Sequence, residues 1–130
     1  MTPPDQMALL FRQWFDLSRA ESAAIQAAAW LKLRQIQSGK AALRQPLDEA
    51  FRQWKSANPA EAASAAALRP FRAQAARLVA LETRNAQLLA VRRDQTRDKI
   101  LHLERAARNL RNLRRSYAPP APPVACNSYS

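Results

Sequence analysis

Residues 70 to 117 read PFRAQAARLVALETRNAQLLAVRRDQTRDKILHLERAARNLRNLRRSY, with no glycine and with no proline after the first residue. Apolar side chains recur in this stretch at three- and four-residue spacing, which places them on one face of a helix. We therefore predict one helix over residues 70 to 116, about 70 Å long at about 1.5 Å per residue. Such a helix is longer than a compact domain of this mass is wide, so it should pack lengthwise against other helices.

The apolar seam of this predicted helix has the alternating spacing of a coiled coil, and it is interrupted near its middle. Its positions are Leu78, Leu81, Asn85, Leu88, Ile100, Leu103, Ala107, Leu110 and Tyr117. After Leu88 the seam passes through Arg92 and Thr96 at successive four-residue steps, which is the pattern of an inserted stutter. Asn85 would be costly in a dry core unless it is hydrogen-bonded, so it is either a device that sets the register or a contact point.

Two shorter helices are predicted before the long one. Thr2-Pro3-Pro4-Asp5 is typical of a helix start, and the apolar series that follows predicts a first helix from about residue 5 to about residue 38. Gly39 comes next, and a glycine after a long periodic segment usually ends the helix. Alternatively, Gly39 only kinks it. The second helix should span about residues 41 to 56, with Pro46 tolerated in its first turn.

Length and composition favour one small all-α domain. The chain has 130 residues and a single glycine, and the residues favoured in strands are sparse. We predict an elongated antiparallel helical bundle or coiled coil of about three helices over residues 5 to 117, after a short tail at residues 1 to 4. Residues 118 to 130 are rich in proline, so this second tail is predicted to be extended, solvated and disordered.

Charge narrows the classes of partner without choosing between them. The formal net charge is +11, and residues 61 to 130 carry 13 Lys/Arg against 5 Asp/Glu, so the second half of the chain is the basic half. That charge would speed association with nucleic acid, acidic protein surfaces or anionic membranes. No window approaches the roughly 18 apolar residues of a membrane span, and the N-terminus lacks a signal-peptide pattern. We therefore expect a cytoplasmic protein without membrane insertion.

Residues able to carry catalysis or to hold a metal ion are few. His102 is the only histidine, Cys126 the only cysteine and Gly39 the only glycine. One histidine and one cysteine exclude metal sites built from several histidines or thiolates, and one glycine excludes a glycine-rich phosphate loop. The sequence therefore predicts no catalytic, cofactor-binding or metal site, and His102 is interpreted as a partly exposed helix residue.

The arginines of the long helix support an alternative hypothesis of nucleic-acid binding. They are Arg92, Arg93, Arg97, Arg105, Arg108, Arg111, Arg114 and Arg115. Arginine neutralises phosphates through bidentate hydrogen bonds, so these side chains could present a basic face. On the helical repeat they spread around much of the circumference, and no aromatic residues are interleaved with them for base stacking. A solvated helix surface is therefore the favoured interpretation.

Large aromatic side chains are numerous for a thin helical protein. They are Trp14, Trp30 and Trp54 with Phe11, Phe15, Phe51 and Phe71. Packing between helices is their expected role, and a groove for a partner is the alternative. Phe11 and Phe15 lie off the apolar stripe that begins at Leu10, so the first helix could be apolar on two faces. One of those faces could then be left for a client or for a second copy.

Two segments resemble the flagellar type III export chaperones of the FlgN and FliT type. The first is Leu78-Val-Ala-Leu-Glu-Thr-Arg-Asn85-Ala-Gln-Leu88-Leu89, followed by the basic helix that ends in Leu110-Arg-Asn-Leu113-Arg-Arg-Ser-Tyr117. The second is Leu17-Ser-Arg-Ala-Glu21, with Trp30 and Lys40 further along the chain. The resemblance extends over most of residues 7 to 117. The chain departs from the family in its more basic helix and in Ala118-Pro119, where the family commonly has glycine after the terminal tyrosine.

The resemblance implies a bundle of antiparallel helices that binds the helical terminal segment of a secreted flagellar protein of the hook-filament junction or cap. It also implies delivery of that client to an export-gate component, with Tyr117 as the candidate gate contact. The predicted partner-binding residues, from the resemblance and the seam together, are Asn85, Leu88, Leu89, Ile100, Leu103, Leu110, Leu113 and Tyr117. The alternatives are a basic coiled-coil protein that binds nucleic acid and a structural helical oligomer. A monomer or a homodimer is expected.

Overall fold

The computed structural model describes residues 1 to 117, which are almost entirely helical. The helices are α1 (Pro3–Gln26), α2 (Trp30–Ala41), α3 (Arg44–Ala57), α4 (Pro59–Ala62) and α5 (Ala65–Tyr117). No β-strand occurs in the described residues, and the prediction of an all-α fold is confirmed. The proline-rich tail with Cys126 lies outside the described residues, so its disorder stays a prediction.

The chain divides into two units, Met1–Arg93 and Asp94–Ser130, with the boundary inside α5. The boundary coincides with the predicted interruption of the apolar seam. The sequence predicts a single domain over residues 5 to 117, and the structure differs on this point because its core ends before that interruption. Within the described residues, every buried apolar side chain belongs to the first unit, whereas nearly all side chains of residues 94 to 117 are exposed.

The start of α1 agrees with the predicted helix start. The Thr2 hydroxyl accepts a hydrogen bond from the Asp5 N–H at 3.3 Å, and the Asp5 carboxylate accepts one from the Thr2 N–H at 3.4 Å. Together these bonds form a capping box, and Pro3 and Pro4 occupy the first turn, where a missing N–H costs nothing. The hydrogen bonds from Thr2 also hold the pKa of the exposed Asp5 below its usual 3.8.

The predicted first helix over residues 5 to 38 is wrong, because the chain reverses direction at Ala28. This residue adopts the left-handed conformation, with φ of 55°. Its N–H donates to the carbonyl oxygen of Ile25 at 3.1 Å, and the N–H of Ala29 donates to that of Ala24 at 2.9 Å. These two bonds form a Schellman motif, in which glycine is the usual left-handed residue. An alanine costs about 1–2 kcal/mol there, and the packing of α2 back against α1 offsets this cost.

The predicted helix stop at Gly39 is also wrong. Gly39 lies inside α2, within the last turn before the helix ends at Ala41. A Cβ atom built at Gly39 would lie 3.5 Å from Leu17 Cδ1, so this position is where α2 passes close to α1. The glycine therefore marks the approach of two helices and not the end of one.

The start of α5 differs from the predicted start at residue 70. The helix begins at Ala65 and includes Pro70. The alanines before the proline are strong helix formers, and the N–H of Leu68 donates to the carbonyl oxygen of Ser64 at 3.0 Å. Pro70 removes one N–H from the first turns without stopping the helix. The predicted bounds of the second helix differ from those of α3 by a few residues, and Pro46 lies in the first turn of α3 as predicted.

Contacts along α1 show the direction of its neighbours. The rings of Phe11 and Phe71 stack with centroids 6.3 Å apart. Further along both helices, Asn85 Nδ2 donates to the carbonyl oxygen of Ser18 at 2.8 Å. Residue numbers increase together along the two helices, so α5 runs parallel to α1. The hairpin at Ala28 makes α2 antiparallel to α1, and α3 also packs against α1.

Two apolar clusters form the core of the first unit. The first cluster consists of the buried residues Met7, Leu10, Ala50, Trp54 and Ala62. The second cluster consists of Ala24, Ile25, Leu33 and Ile36. Phe71 packs against the first cluster and meets the Trp54 ring edge to face at 5.5 Å between centroids, which adds to the area that these rings bury.

Candidate functional site

A group of polar side chains lies between the two apolar clusters, and we call it the polar layer. It consists of Ser18 and Glu21 from α1, Lys40 from α2, and Glu82 and Asn85 from α5. Four of the five residues are buried, and the Glu82 side chain is 35% exposed. The polar layer thus joins three helices in the middle of the first unit.

Lys40 is the centre of the polar layer. Its Nζ donates to Glu21 Oε1 at 2.8 Å and to the two oxygens of Glu82 at 2.9 and 2.7 Å. The Ser18 hydroxyl also donates to Glu82 Oε1. Desolvation makes a buried ion pair a weak source of net stability, but removal of one partner leaves an unpaired buried charge and is strongly destabilising. Loss of Lys40 or of either glutamate would therefore weaken the contact between α1, α2 and α5.

Glu82 is held in its charged form by this arrangement. Partial burial raises the pKa of the Glu82 carboxyl. The hydrogen bonds from Lys40 and Ser18, together with the positive charge of Lys40, lower the pKa by more, so it lies below the usual 4.5. The interaction of α5 with α1 and α2 is therefore present at neutral pH and is weakened in acid.

Asn85 connects α5 to α1 through both hydrogens of its amide. Nδ2 donates to the carbonyl oxygen of Ser18 at 2.8 Å and to Glu21 Oε1 at 2.9 Å. The two acceptors define the orientation of the amide, because its oxygen could not replace the nitrogen there. Oδ1 is buried without a hydrogen-bond partner, which costs about 1–3 kcal/mol. The structure therefore places Asn85 between helices, and its role as a partner contact stays a prediction.

Leu88 and Leu89 also lie against the interior of the first unit. Both are half-buried and pack on the second apolar cluster. An aspartate at either position would disturb this packing, so loss of binding in such a variant could reflect loss of structure. The structure thus brings Asn85, Leu88 and Leu89 together as one turn of the packed half of α5, and their contact with a client stays a prediction.

The other five predicted partner-binding residues lie in the second unit and are exposed. Their exposed fractions are 51% for Ile100, 66% for Leu103, 66% for Leu110, 52% for Leu113 and 81% for Tyr117. At about 100° of rotation per residue, all but Leu113 lie within a stripe about 100° wide. Leu113 lies about 40° beyond one edge of that stripe. The described part of the second unit thus presents an exposed apolar stripe that Lys99 and Arg114 interrupt.

Basic side chains follow the other edge of this stripe. On the helical repeat the residues along that edge are Arg97, Arg108, Arg111 and Arg115, with Glu104 among them. Arg114 falls within the stripe itself, between Leu110 and Tyr117. The arginines of residues 94 to 117 are thus partly concentrated beside the apolar face, although the sequence predicts that they spread around the helix.

The aromatic residues predicted to pack in the core have several environments. Trp54 is 1% exposed, whereas Trp30 is 43% and Phe51 is 37% exposed. Phe11 and Phe15 lie in a groove between α1 and α5, beside several arginines. The sequence did indicate that these two phenylalanines lie off the main apolar stripe of α1.

Sequence reasoning missed Lys40 and Glu82, which pair with each other in the same polar layer as Asn85. One signal could have found the layer: polar residues at a spacing of three interrupt the apolar pattern at Ser18 and Glu21, and again at Glu82 and Asn85. Matching interruptions on two packed helices indicate a shared polar contact. Lys40 carries no such signal, because its burial depends on the close approach at Gly39.

Residues 1 to 117 hold no group of three or more His, Cys, Asp or Glu side chains arranged as a metal site requires. His102 is exposed in the second unit. None of the helices in the described part of the chain combines the length and apolar character that a membrane crossing requires. Comparison with protein-family models, with curated proteins and with solved structures found no match to this chain.

Proposed function

We propose that this protein is a cytoplasmic binding protein of the flagellar export chaperone type. It holds the helical terminal segment of a secreted hook-filament junction or cap protein against residues 94 to 117 and delivers it to an export-gate component. The observation that supports the proposal is the exposed apolar stripe of this unit, with basic side chains along one edge. Tyr117, near the end of the stripe, is the proposed gate contact.

The apolar stripe has the properties of a docking surface for a helix. Several large apolar side chains exposed on one face are unusual on a protein without a partner. An amphipathic client helix would bury Leu103 and Leu110 at its centre, and such buried apolar anchors supply most of the affinity in helix recognition. Binding of this kind needs no covalent step, which agrees with the lack of catalytic signals in the sequence.

Charge favours an acidic client over a second copy of this chain. Residues 94 to 117 carry 7 Lys/Arg against 3 Asp/Glu. In a parallel homodimer the two copies of Arg114 would face each other within the seam, which costs stability. A client helix with acidic residues beside its apolar face would instead pair with the arginines, and these pairs would orient it.

The test is coexpression of the full chain with flagellar hook-filament junction and cap proteins from the same genome, followed by copurification. The variant Leu103→Asp/Leu110→Asp places two charges in the stripe and should reduce client recovery at least about tenfold. The matched control Leu101→Asp/Asn112→Asp adds two aspartates to the same helix outside the stripe and should retain the client. Circular dichroism should show equal helical content in all three proteins.

Three results would contradict the proposal. The first is recovery of neither class of flagellar protein with the wild-type chain. The second is equal recovery with the stripe variant and its control. The third is a result that one of the alternatives predicts. Tight retention on DNA with a steep salt dependence would favour nucleic-acid binding, and a stable oligomer in light scattering without any partner would favour a structural oligomer.

A further inference from the structure

A groove with an apolar floor runs between α1 and α5 in the first unit. Phe15 and Leu81 contribute to its floor, and Phe11 and Leu78 extend it towards the helix starts. The groove includes two cavities, of about 260 Å³ and about 530 Å³, which share Phe15 and Arg77 in their lining. This groove belongs to the packed first unit, so its geometry does not depend on residues 94 to 117.

Four arginines line this groove in two rows. Arg12 and Arg19 belong to α1, and Arg77 and Arg84 belong to α5. In each row the two arginines are seven residues apart, which is about 10.5 Å along a helix. Because α1 and α5 run parallel, the rows follow the two sides of the groove with the apolar floor between them. No acidic residue contributes to the lining of either cavity.

None of these four arginines forms an ion pair within residues 1 to 117, although Asp16 lies one helical turn from both Arg12 and Arg19 on α1. The ion pairs in residues 1 to 117 involve Lys40 with Glu21 and Glu82, and Arg52 with Glu49. Arg77 instead lies over the ring of Phe15, with its guanidinium carbon 5.6 Å from the ring centre. Four like charges beside one groove repel one another, and a ligand with negative charges would relieve that repulsion.

We infer that this groove binds an acidic amphipathic helix of a partner protein, in which carboxylates seven residues apart flank apolar residues. Such a helix repeats at the same interval of about 10.5 Å as the arginine rows. Its apolar residues meet Phe15 and Leu81, while its carboxylates accept bidentate hydrogen bonds from guanidinium groups on both sides. The inference goes beyond the proposed function, because it assigns a second docking surface in the first unit.

The aromatic rings of the groove favour a helix over single-stranded nucleic acid. Base recognition by aromatic residues needs open ring faces for stacking. One face of Phe15 carries the Arg77 guanidinium, and the ring of Phe11 is stacked with Phe71 at 6.3 Å between centroids. The apolar floor of the groove therefore suits leucine or methionine side chains better than stacked bases.

The test measures binding of a labelled synthetic helical peptide to the full chain by fluorescence anisotropy. The peptide carries glutamates at seven-residue intervals on both sides of a leucine stripe, and a second peptide has glutamine in place of every glutamate. The glutamate peptide should bind at least about tenfold more tightly, and its affinity should fall as salt is added. The variant Arg19→Glu/Arg84→Glu should weaken this binding at least about tenfold.

The matched control is Arg34→Glu/Arg44→Glu, which makes the same change in net charge at exposed arginines of α2 and α3. The control should bind the glutamate peptide within about threefold of the wild type. Thermal unfolding by circular dichroism should show that both variants remain folded. Equal weakening in both variants would show general electrostatic attraction and overturn the inference.

Two other outcomes would also overturn it. One is equal affinity for the glutamate and glutamine peptides. The other is a single-stranded oligonucleotide that displaces the peptide and loses its own binding in Arg19→Glu/Arg84→Glu but not in the control, because the groove would then be a nucleic-acid site. None of these outcomes depends on copurification of a flagellar client, so this inference and the proposed function can fail separately.

Discussion

Ala28 has a left-handed backbone conformation that costs an alanine about 1–2 kcal/mol and a glycine almost nothing. Gly39, in contrast, lies in a regular helix, where glycine is less favourable than alanine by about 1 kcal/mol. Sequence reasoning places the turn at the glycine because composition is the only local signal available. The turn at Ala28 is stabilised by the packing of Ile25 against Leu33 and Ile36 across it, which becomes visible only in the folded chain.

The first prediction is that Gly39→Ala and Ala28→Gly each stabilise the protein by about 0.5–1 kcal/mol. The new Cβ at residue 39 would make an ordinary van der Waals contact with Leu17 Cδ1 at 3.5 Å, so the alanine fits. The glycine at residue 28 would relieve the left-handed strain. Urea unfolding followed by circular dichroism measures both effects. Gly39→Leu is the contrasting variant and should destabilise by about 1–3 kcal/mol, because its larger side chain meets Leu17.

A destabilising effect of Gly39→Ala would contradict the first prediction. It would mean that α1 and α2 approach more closely than the contact with Leu17 indicates. Likewise, a destabilised Ala28→Gly variant would show that the left-handed conformation carries little strain, and that the flexibility of glycine in the unfolded chain dominates.

At the scale of elements, the long helix was the most predictable feature, and its partners were the least. The apolar periodicity predicts the C-terminal end of α5 to within one residue. The interruption of the seam lies close to the residue at which the core ends. The parallel direction of α1 and α5 could not be predicted, because apolar stripes are compatible with either direction. The polar layer resolves this ambiguity: Asn85 reaches both Ser18 and Glu21 only in the observed register. Asn85 was identified from the sequence, but its partners required the fold.

The second prediction concerns the pH dependence of this contact between helices. The folded-state pKa of Glu82 lies below the usual 4.5, so its contribution to stability is present above pH 4.5 and is lost as the pH falls through the folded-state pKa. Glu82→Gln should destabilise the protein by about 1 kcal/mol near neutral pH, since hydrogen bonds to a charged but partly exposed carboxylate are lost. Urea unfolding at several pH values should show the gap between wild type and variant narrowing below pH 4.5.

The control for Glu82→Gln is Glu61→Gln, which removes an exposed carboxylate in α4 that is not part of the polar layer. This control should follow the wild-type stability across the same pH range. A gap for Glu82→Gln that stays constant, or grows in acid, would contradict the contribution that we assign to the Lys40 and Ser18 contacts.

At the scale of the whole molecule, the buried apolar side chains of the described residues are confined to the first unit. Buried apolar residues within the described chain end at Leu78, and the half-buried Leu88 and Leu89 complete the core. Beyond Arg93 the same helix continues with its apolar side chains exposed. The sequence predicts a binding surface at those side chains because they belong to the apolar seam. Periodicity alone, however, cannot distinguish a helix face that packs within the chain from one that binds a partner.

The third prediction is a difference in amide hydrogen exchange between the two units. Amides of residues 94 to 117 should exchange at least about 100-fold faster than those of residues 78 to 90, because a helix without buried side chains opens locally at little cost. Mass spectrometry of peptides from the exchanged protein measures this directly. Similar protection in both segments would show that the second half of α5 is stabilised by contacts made in solution, as in a self-associated protein. Adding a bound client should slow exchange in residues 94 to 117.

The Schellman motif without glycine has a consequence for how this chain can evolve. Alanine and glycine codons differ by one base at the second position, so each of the two stabilising exchanges is a single nucleotide change away. Natural proteins usually remain somewhat below their greatest attainable stability, because selection removes only variants that fall beneath what function requires. Selection of this kind would not remove the alanine at residue 28 or the glycine at residue 39, although each is less stable than the alternative residue.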